Sequence, residues 1–351
     1  MNDETLLNPN SASLLYEVIG WDIGGVNIKA ARRQAEGWQV SQQPFAIWQR
    51  RDELTATLAE MSARLGPAKF GAITITAELS DAFRTKRAGI TFVLDAVRAA
   101  LPDTELRIFG LDGQFHDVET AYNNHMLVAA ANWLATALVV ARYQPDCLLV
   151  DIGSTTTDII PIKGGQVVAQ ERNDPGRLVE GELLYTGALR TPVFAIVNQV
   201  PLWGRWCPVA AELFATAQDV HLLLGNLTPE QCTSPSADGR PVTAEFAAER
   251  LARLVCADID MLSQIEIKTI AQYVATEQIR QIAKKIIQVM SGSGVRGPIV
   301  AVGVGTFLAQ AAAAQAGLDC LPPADLLSGQ AGDVAPAAAV ALLFSDEQNR
   351  V

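Results

Sequence analysis

Residues 18–29, VIGWDIGGVNIK, place an apolar strand directly before an Asp, a glycine-rich turn and a second strand. The pattern returns at residues 147–158, CLLVDIGSTTTD, where hydroxyl side chains replace the second glycine. The two stretches match at three turn positions: Asp22 with Asp151, Gly24 with Gly153, and Gly25 with Ser154. A recurrence separated by about one domain of chain predicts two related halves that open with the same β-meander.

Outward from these meanders, apolar strands alternate with segments of helical spacing, which predicts α/β layers built on mixed sheets. Residues 226–242 are rich in Thr, Pro, Ser, Gly and Asp and indicate a long surface loop or flap. Further strands are expected at 70–76, 107–111 and 298–302. Helices are expected at 52–65, 89–101, 122–141, 210–224, 244–262, 270–290, 307–317 and 335–344.

The chain has 351 residues, more than one hydrophobic core usually organises, so two lobes with a cleft between them are expected. We predict an N-terminal lobe at 1–145, with the first turn and a linking helix. A C-terminal lobe follows at 146–334, with the second turn, the flap and a Gly-x-Gly turn. Residues 335–351 form a last helix and tail that pack back on the N-terminal lobe.

Charge and cysteine usage exclude several classes of protein. The net charge of −11, without a stretch of interleaved basic and aromatic residues, argues against a nucleic-acid partner. Five scattered cysteines indicate reduced thiols, not disulfides or a zinc site. The start lacks the pattern of a signal peptide, and the apolar run 126–141 is too short to span a bilayer. We therefore expect a cytoplasmic protein without a membrane partner, and the sequence leaves open whether it forms a homo-oligomer.

The first turn has the chemistry of a phosphate site. Gly24 and Gly25 let backbone N–H groups approach a phosphate without an intervening Cβ, while Asn27 and Lys29 add a hydrogen-bond donor and a cation. An ordinary β-hairpin explains a single copy equally well. The second copy at a matching turn favours phosphate binding.

The second turn offers Gly153 and the hydroxyls of Ser154, Thr155 and Thr156 as donors to phosphate oxygens. Asp151 and Asp158 are candidate ligands of Mg²⁺, which prefers carboxylate and phosphate oxygens. The alternative is an exposed Thr-rich strand, because β-branched residues suit strands.

A third glycine turn follows the predicted strand 298–302 and precedes a helix. Its Gly303 and Gly305 are candidate contacts for a ligand at the helix N-terminus. Many strand-to-helix turns use glycine, so this pattern alone is weak.

The three turns in this order resemble the superfamily of actin, the sugar kinases and the heat-shock ATPases, and most closely its hydantoinase and oxoprolinase branch. The resemblance implies a duplicated, two-lobed actin-like ATPase fold (ribonuclease H-like) with a central cleft. It also makes ATP a candidate ligand. The third turn departs from the superfamily, because it is Gly-Val-Gly where a Gly-Gly pair usually holds adenosine.

Five further segments carry a more specific resemblance: ITAELSDAFRTKRAGI (75–90), AANWLATA (130–137), GELLYTGALRTPV (181–193), AAELFATAQDV (210–220) and SADGRP (236–241). They resemble one small family, the tetrahydromethanopterin-linked one-carbon transfer pathway proteins, whose archaeal members build methanofuran. The resemblance extends from Val18 to about Phe344 and implies a transferase that joins an aminomethylfuran diphosphate to the phenol of a γ-glutamyl-tyramine or tyrosine unit, releasing pyrophosphate.

Such a reaction requires groups that hold the departing diphosphate and activate a phenol. The alternative to a catalytic role for Glu78 and Asp81 is a solvated helix start. For Glu182 and Arg190, the alternative is a buried structural ion pair. Competing functions are an ATP-dependent kinase or hydrolase, a hydantoinase-like amide hydrolase and a non-catalytic scaffold. The candidate carboxylates are Asp22, Glu78, Asp81, Asp151 and Glu182, and the candidate cations are Lys29, Lys86, Arg177 and Arg190.

Overall fold

A computed structural model describes residues 14–323 and 329–348, which form two lobes with a helical insertion in the second. The expectations for residues 1–13 and for the tail at 349–351 lie outside the described residues. Within the described residues, no helix is long and apolar enough to cross a membrane.

The first lobe is a six-stranded sheet in the order β3-β2-β1-β4-β5-β6. β1 is antiparallel to β2 and parallel to β4, and its tip at Gly24 pairs with Thr76. Helices α2 and α3 cover one face. The elements are β1 (Val18–Gly24), β2 (Asn27–Gln34), β3 (Gly37–Pro44), α1 (Ile47–Arg50), α2 (Leu54–Leu65), β4 (Phe70–Thr76), α3 (Lys86–Ala100), β5 (Glu105–Phe109), β6 (Phe115–His116), α4 (Val118–Asn123) and α5 (Asn132–Tyr143).

The second lobe repeats this arrangement with β7, β8, β13 and β14 in the places of β1, β2, β4 and β5. β9 and β10 both pair with β8. The duplication predicted from the two turns is thus confirmed by the sheet order. The elements are β7 (Cys147–Ile152), β8 (Thr157–Lys163), β9 (Gln166–Val167), α6 (Asp174–Glu180), β10 (Leu183–Leu184), β13 (Ile299–Val302), α11 (Thr306–Gln315), β14 (Cys320–Leu321), α12 (Gln330–Asp333) and α13 (Ala335–Gln348).

The insertion between β10 and β13 is mainly helical and has its own hydrophobic cluster. Its longest helix begins at Ser263, where a capping box with Glu266 satisfies free amides, and ends at Gly294 in the left-handed conformation. The elements are α7 (Val193–Ile196), β11 (Gln199–Leu202), β12 (Arg205–Pro208), α8 (Ala217–Leu223), α9 (Ala244–Arg253) and α10 (Gln264–Ser293).

One hydrophobic cluster joins the two lobes. It contains side chains of both sheets together with α5 and α13. α13 is buried from Ala335 to Ser345 and approaches β1 so closely that a Cβ on Gly20 would lie 1.9 Å from the carbonyl oxygen of Ala337. The glycine at position 20 therefore permits the contact that fixes α13 on the first sheet.

Three predicted helices are wrong in extent. The segment 122–141 is broken, because Ala129 bridges to Ile75 of β4 and Ala130 takes a positive φ of 50° before α5 begins. The segment 210–224 is helical only in α8, which starts at the capping box of Thr216. The segment 244–262 stops with α9 at Arg253. In each case, tertiary contacts or caps override helical spacing.

The loop at 226–242 contains no helix or strand, as predicted, but it is attached to the insertion. Asp238 accepts a 3.1 Å hydrogen bond from Arg250, a fully buried side chain of α9. The amide side chain of Gln218 also donates to the carbonyl oxygen of Ser234 over 3.1 Å. These buried contacts hold the loop against α8 and α9.

Candidate active site

The two Asp-Ile-Gly turns meet at one cavity of about 560 Å³ between the lobes. The equivalent strands β1 and β7 end at corresponding edges of the two sheets, and the turns that follow them line the cleft. This is the position expected for ligand-binding turns in a duplicated fold. Candidates predicted from sequence that line the cavity are Asp22, Gly24, Gly25, Asn27, Lys29, Glu78, Asp81, Gly153, Ser154, Thr155, Thr156, Asp158, Arg177 and Arg190.

Asp22 lines the cavity, whereas Asp151, to which it is electrostatically coupled, is not among the lining residues. Lys29, the register partner of Asp22, lowers the pKa of both carboxyls, while Asp22 raises that of Asp151. Burial nevertheless dominates and raises both pKa values, that of Asp151 to about 7, with Asp158 as the next largest cause. Thr76 donates a 3.3 Å hydrogen bond to Asp22, and no hydrogen bond or ion pair among the described residues engages the Asp151 carboxylate.

Asp158 faces Asp151 across β7 and β8 and is held by a buried guanidinium. Arg177 lies 2.9 Å from Asp158, is only 1% exposed, and stacks 4.0 Å from the centre of the Trp133 ring. Burial raises the pKa of Asp158, and Arg177 opposes that rise. Arg177 therefore compensates a neighbouring carboxylate and is not a free cation for a ligand.

Glu78 is 2% exposed and forms an ion pair with Lys86 at 3.2 Å. The alternative of a solvated helix start at Glu78 is wrong, since α3 begins later and is capped by Thr85. Burial raises the pKa of Glu78, and Lys86 opposes this. Asp81 lines the cavity as an exposed side chain.

Glu182 and Arg190 do not form the ion pair considered as an alternative from sequence. Glu182 is buried away from the cavity lining, where Oε1 accepts a 2.7 Å hydrogen bond from the amide of Gln170. Arg190 instead donates to Thr155 Oγ1 over 3.4 Å and lies 5.1 Å from the centre of the Trp48 ring. The two candidates have separate environments, and only Arg190 faces the cavity.

Each turn leaves one backbone amide without a hydrogen bond to other described residues. The amide of Gly153 donates to the carbonyl oxygen of Thr156 over 2.9 Å and so closes the second turn, contrary to its predicted use for phosphate. The amides of Gly25 and Ser154, at equivalent positions, make no hydrogen bond to other described residues. These two amides and the neighbouring hydroxyls remain for a ligand.

Gly303 and Gly305 do not line the cavity. A Cβ on Gly303 would lie 2.6 Å from Oδ1 of Asp151, and one on Gly305 would lie 2.3 Å from Ile152 Cγ2. The amide of Gly305 donates to the carbonyl oxygen of Ile152 over 2.9 Å. Both glycines therefore serve close packing of this turn on the end of β7, and the prediction that they contact phosphate has no support in the geometry.

Acidic groups outnumber basic groups in the cavity wall, with five carboxylates against three cations. Of the four candidate cations, Lys86 and Arg177 are paired with carboxylates, whereas Lys29 and Arg190 form no ion pair within the described residues. A polyanion entering this site therefore requires additional positive charge. The carboxylates are Asp22, Glu78, Asp81, Asp158 and Asp174, and the lining cations are Lys29, Arg177 and Arg190.

The site's donor atoms fit a hydrated Mg²⁺ better than a fully protein-enclosed metal. No group of three or more His, Cys, Asp and Glu side chains in the described residues converges as a metal site. Asp151 and Asp158 are register partners, and Mg²⁺ commonly takes one or two carboxylates together with water and substrate phosphate. This pair fits that mode of binding, and Asp151 is the carboxylate with no hydrogen bond or ion pair in the part of the chain that the structure describes.

Several residues of the site were not singled out from the sequence. Trp48, Thr76, Trp133 and Asp174 line the cavity, although they are distant from both turns in the chain. Asp174 lies in the first turn of α6, which Asn173 caps. The sequence therefore indicates a helix start at this position, but it does not indicate that Asp174 lies in the cleft. Only the three-dimensional arrangement brings these residues together.

The duplicated sheet order and the ligand-sized cavity between paired turns define the two-lobed actin-like class of α/β proteins. A solved relative in fold is the nucleotide-free acetone carboxylase of ATP-dependent acetone carboxylation. Its TM-score is 0.53 at 10% identity, covering 94% of this chain and 69% of that chain.

Within this class, the chain belongs to the hydantoinase/oxoprolinase family, which residues 70–346 match. Two relatives carry the name (4-{4-[2-(gamma-L-glutamylamino)ethyl]phenoxymethyl}furan-2-yl)methanamine synthase. The protein of Methanocaldococcus jannaschii is 37% identical over 251 residues, which are 71% of this chain and 74% of that protein. The protein of Methanococcus vannielii is 36% identical over 133 residues, 38% of this chain and 60% of that protein.

Proposed function

We propose that the protein is a transferase that forms an aryl ether in the biosynthesis of a methanofuran-type cofactor. The relatives are named as synthases of a phenoxymethyl furan, a compound in which an oxygen joins a phenyl ring to a furan-bound methylene. The observation that carries the proposal here is the cavity in which two phosphate-type turns meet Lys29 and Arg190, two cations with no ion pair in residues 14–323 and 329–348.

In the proposed reaction, the oxygen of a phenol attacks the methylene carbon of an aminomethylfuran-methyl diphosphate. The new C–O bond forms as the bond from that carbon to the diphosphate oxygen breaks. Pyrophosphate leaves with the bonding pair, and the phenol proton passes to a base or to solvent. The furan ring shares electron density with the carbon, so the protein's main tasks are to orient the reactants and stabilise the leaving group.

The proposed diphosphate holders are donor groups of the two turns and the cation of Lys29. The amides of Gly25 and Ser154 and the hydroxyls of Thr155 and Thr156 donate hydrogen bonds, and Lys29 supplies charge. Mg²⁺ bound by Asp151 and Asp158 would offset the excess of carboxylates and neutralise charge on the leaving group. Asp22, the register partner of Lys29 across β1 and β2, interacts with it electrostatically.

The proton acceptor is proposed from its pKa and from its register with Asp158, which lines the cavity. Asp151 carries no hydrogen bond among the described residues, and burial raises its pKa to about 7, a range suited to a general base. Its role as a base and its role as a Mg²⁺ ligand exclude each other for one carboxylate. The activity of Asp151→Asn at increasing Mg²⁺ concentration separates the two roles. If Asp151 is the base, activity stays low at every Mg²⁺ concentration. If Asp151 is a metal ligand, high Mg²⁺ concentration restores part of the activity.

Purified protein with Mg²⁺, the furan diphosphate and a phenolic acceptor tests the proposal. We expect pyrophosphate and the ether in equal amounts, with γ-glutamyl-tyramine and tyrosine compared as acceptors. Lys29→Met should lower kcat/KM by about 10²-fold, the usual scale for losing one group that stabilises developing charge. Lys268→Met, an exposed lysine of α10, serves as a matched control. Formation of neither product with either acceptor would refute the proposal.

A further inference from the structure

Large apolar side chains surround the mouth of the cavity, in contrast to its charged base. Trp48 and Leu79 belong to the first lobe, and Leu178 and Tyr185 to the second; all four line the cavity. Their exposed fractions are 39%, 59%, 43% and 64%, in that order. Clustered exposed apolar groups beside a binding cleft commonly mark a surface that a ligand covers.

Backbone hydrogen bonds attach the chain beside Trp48 and the cavity residue Arg190 to the two turns. Ile47, next to Trp48, donates its amide hydrogen to the carbonyl oxygen of Gly25 over 3.0 Å. The amide of Arg190 donates to the carbonyl oxygen of Ser154 over 2.9 Å. Gly25 and Ser154 are equivalent positions, so Trp48 and Arg190 approach each other from matching points of the two lobes.

The contact between them is a cation–π arrangement. The guanidinium carbon of Arg190 lies 5.1 Å from the centre of the Trp48 ring, and the same guanidinium donates to Thr155 Oγ1. Burial lowers the pKa of Arg190, while Tyr185 opposes that shift, which places a phenol side chain of the protein itself within electrostatic range of this cation. A ring held against Trp48 would thus have a planar cation and the second turn beside it.

We infer that this mouth is the subsite for the aromatic ring of the phenolic acceptor, with Trp48 binding the ring and Arg190 facing its oxygen. The inference rests on the proposed function and specifies which part of the site takes which substrate. The furan diphosphate occupies the charged base of the cavity, and the phenol occupies the mouth. Arg190 stabilises the phenolate as its proton leaves, because a phenol with a pKa near ~10 needs a nearby cation at neutral pH.

Steady-state kinetics with one substrate saturating tests the assignment. Trp48→Leu should raise KM for the acceptor about tenfold and leave KM for the furan diphosphate within about twofold, as expected for loss of an aromatic contact. Trp203→Leu is the matched control, because Trp203 is 64% exposed on the β11–β12 hairpin of the insertion. The assignment would be overturned if Trp48→Leu changed KM for the furan diphosphate by more than about twofold. It would also be overturned if Trp48→Leu and Trp203→Leu had the same KM for the acceptor.

Arg190 is tested by comparing acceptors with and without the phenol hydroxyl. In equilibrium titrations, the wild-type protein should bind γ-glutamyl-tyramine more tightly than γ-glutamyl-phenethylamine, and tyrosine more tightly than phenylalanine. Arg190→Met should abolish that preference. Trp48→Leu should instead lower the affinity for both compounds of a pair by the same factor. If Arg190→Met retains the full preference, Arg190 does not face the oxygen.

The titrations require no turnover, so they separate the two proposals. If the wild-type protein forms no ether but binds the phenolic compounds through Trp48, the subsite stands and the proposed reaction fails. If the ether forms but neither substitution affects acceptor binding, the reaction stands and the subsite is wrong.

Discussion

Lys86 of the first lobe donates a 2.7 Å hydrogen bond to Asp174 of the second lobe, so one ammonium group connects the two walls of the cleft. The same group lies 3.2 Å from the buried carboxylate of Glu78. Burial alone lowers the pKa of Lys86, but its bond to Asp174 and the charge of Glu78 bring about a net rise. The sequence predicts Lys86 as a phosphate-binding or catalytic cation, whereas its geometry is that of a bridge between the lobes.

Removing the ammonium should destabilise the protein because it leaves Glu78 buried without a cation. We expect Lys86→Met to lower the free energy of unfolding by about 2 kcal/mol at pH 8, measured by urea denaturation. Arg280→Met is the control, since Arg280 pairs with Glu277 while 56% exposed and should leave the free energy of unfolding nearly unchanged. Equal losses in both variants would contradict the bridging role.

The second turn should be sensitive to any side chain at Gly187. A Cβ there would lie 2.6 Å from backbone atoms of Thr155, which cannot yield as a flexible side chain does. Gly187→Ala should therefore displace the turn and reduce kcat/KM for ether formation by about 10²-fold, because misplaced binding groups are costly. Gly292→Ala, in α10 with open space around it, should retain activity and gain about 0.5–1 kcal/mol of stability. Full activity of Gly187→Ala would show that the turn adapts.

The sequence predicts the duplicated fold well because the two turns and the apolar strands before them are local patterns. β4, for example, spans the expected residues Phe70–Thr76. Ion-pair partners are less predictable, since they depend on how distant segments pack. Nothing local to Arg190 indicates Trp48, and the glycines at 303 and 305 have the spacing of a ligand turn although they pack against β7. Local patterns thus located the site, and tertiary packing decided which of its charges are free.

Asp151 should make stability fall as pH rises. Its pKa is about 7 in the folded protein and near 3.8 when unfolded, so between pH 4 and 7 the folded state holds a proton that the unfolded state releases. The favourable contribution of Asp151 to the free energy of unfolding is fully present below about pH 4 and is lost as pH rises through about 7. In metal-free buffer, Asp151→Asn should be more stable than the wild-type protein by about 1–2 kcal/mol at pH 8 and about equal at pH 4. Parallel pH profiles of the two proteins, measured by urea unfolding, would show that Asp151 titrates normally.

Pyrophosphate should bind this site only together with a divalent cation. With five carboxylates and three cations in the wall, the bare anion meets net repulsion, which Mg²⁺ removes. We expect pyrophosphate with Mg²⁺ at about 100 times the dissociation constant to stabilise the protein by about 2.7 kcal/mol, seen as a rise of about 2–4 °C in Tm. Pyrophosphate with EDTA should give little shift.

The same measurement separates an organic diphosphate from a nucleotide. The third glycine turn packs on the end of β7 and does not line the cavity, so the geometry provides no contact from that turn to an adenosine. ATP with Mg²⁺ should therefore stabilise the protein no more than pyrophosphate with Mg²⁺ does, and Lys29→Met should reduce both shifts. Lys268→Met, on the exposed face of α10, should leave them unchanged. A larger shift with ATP, accompanied by its hydrolysis, would instead identify an ATP-dependent enzyme that uses the same turns.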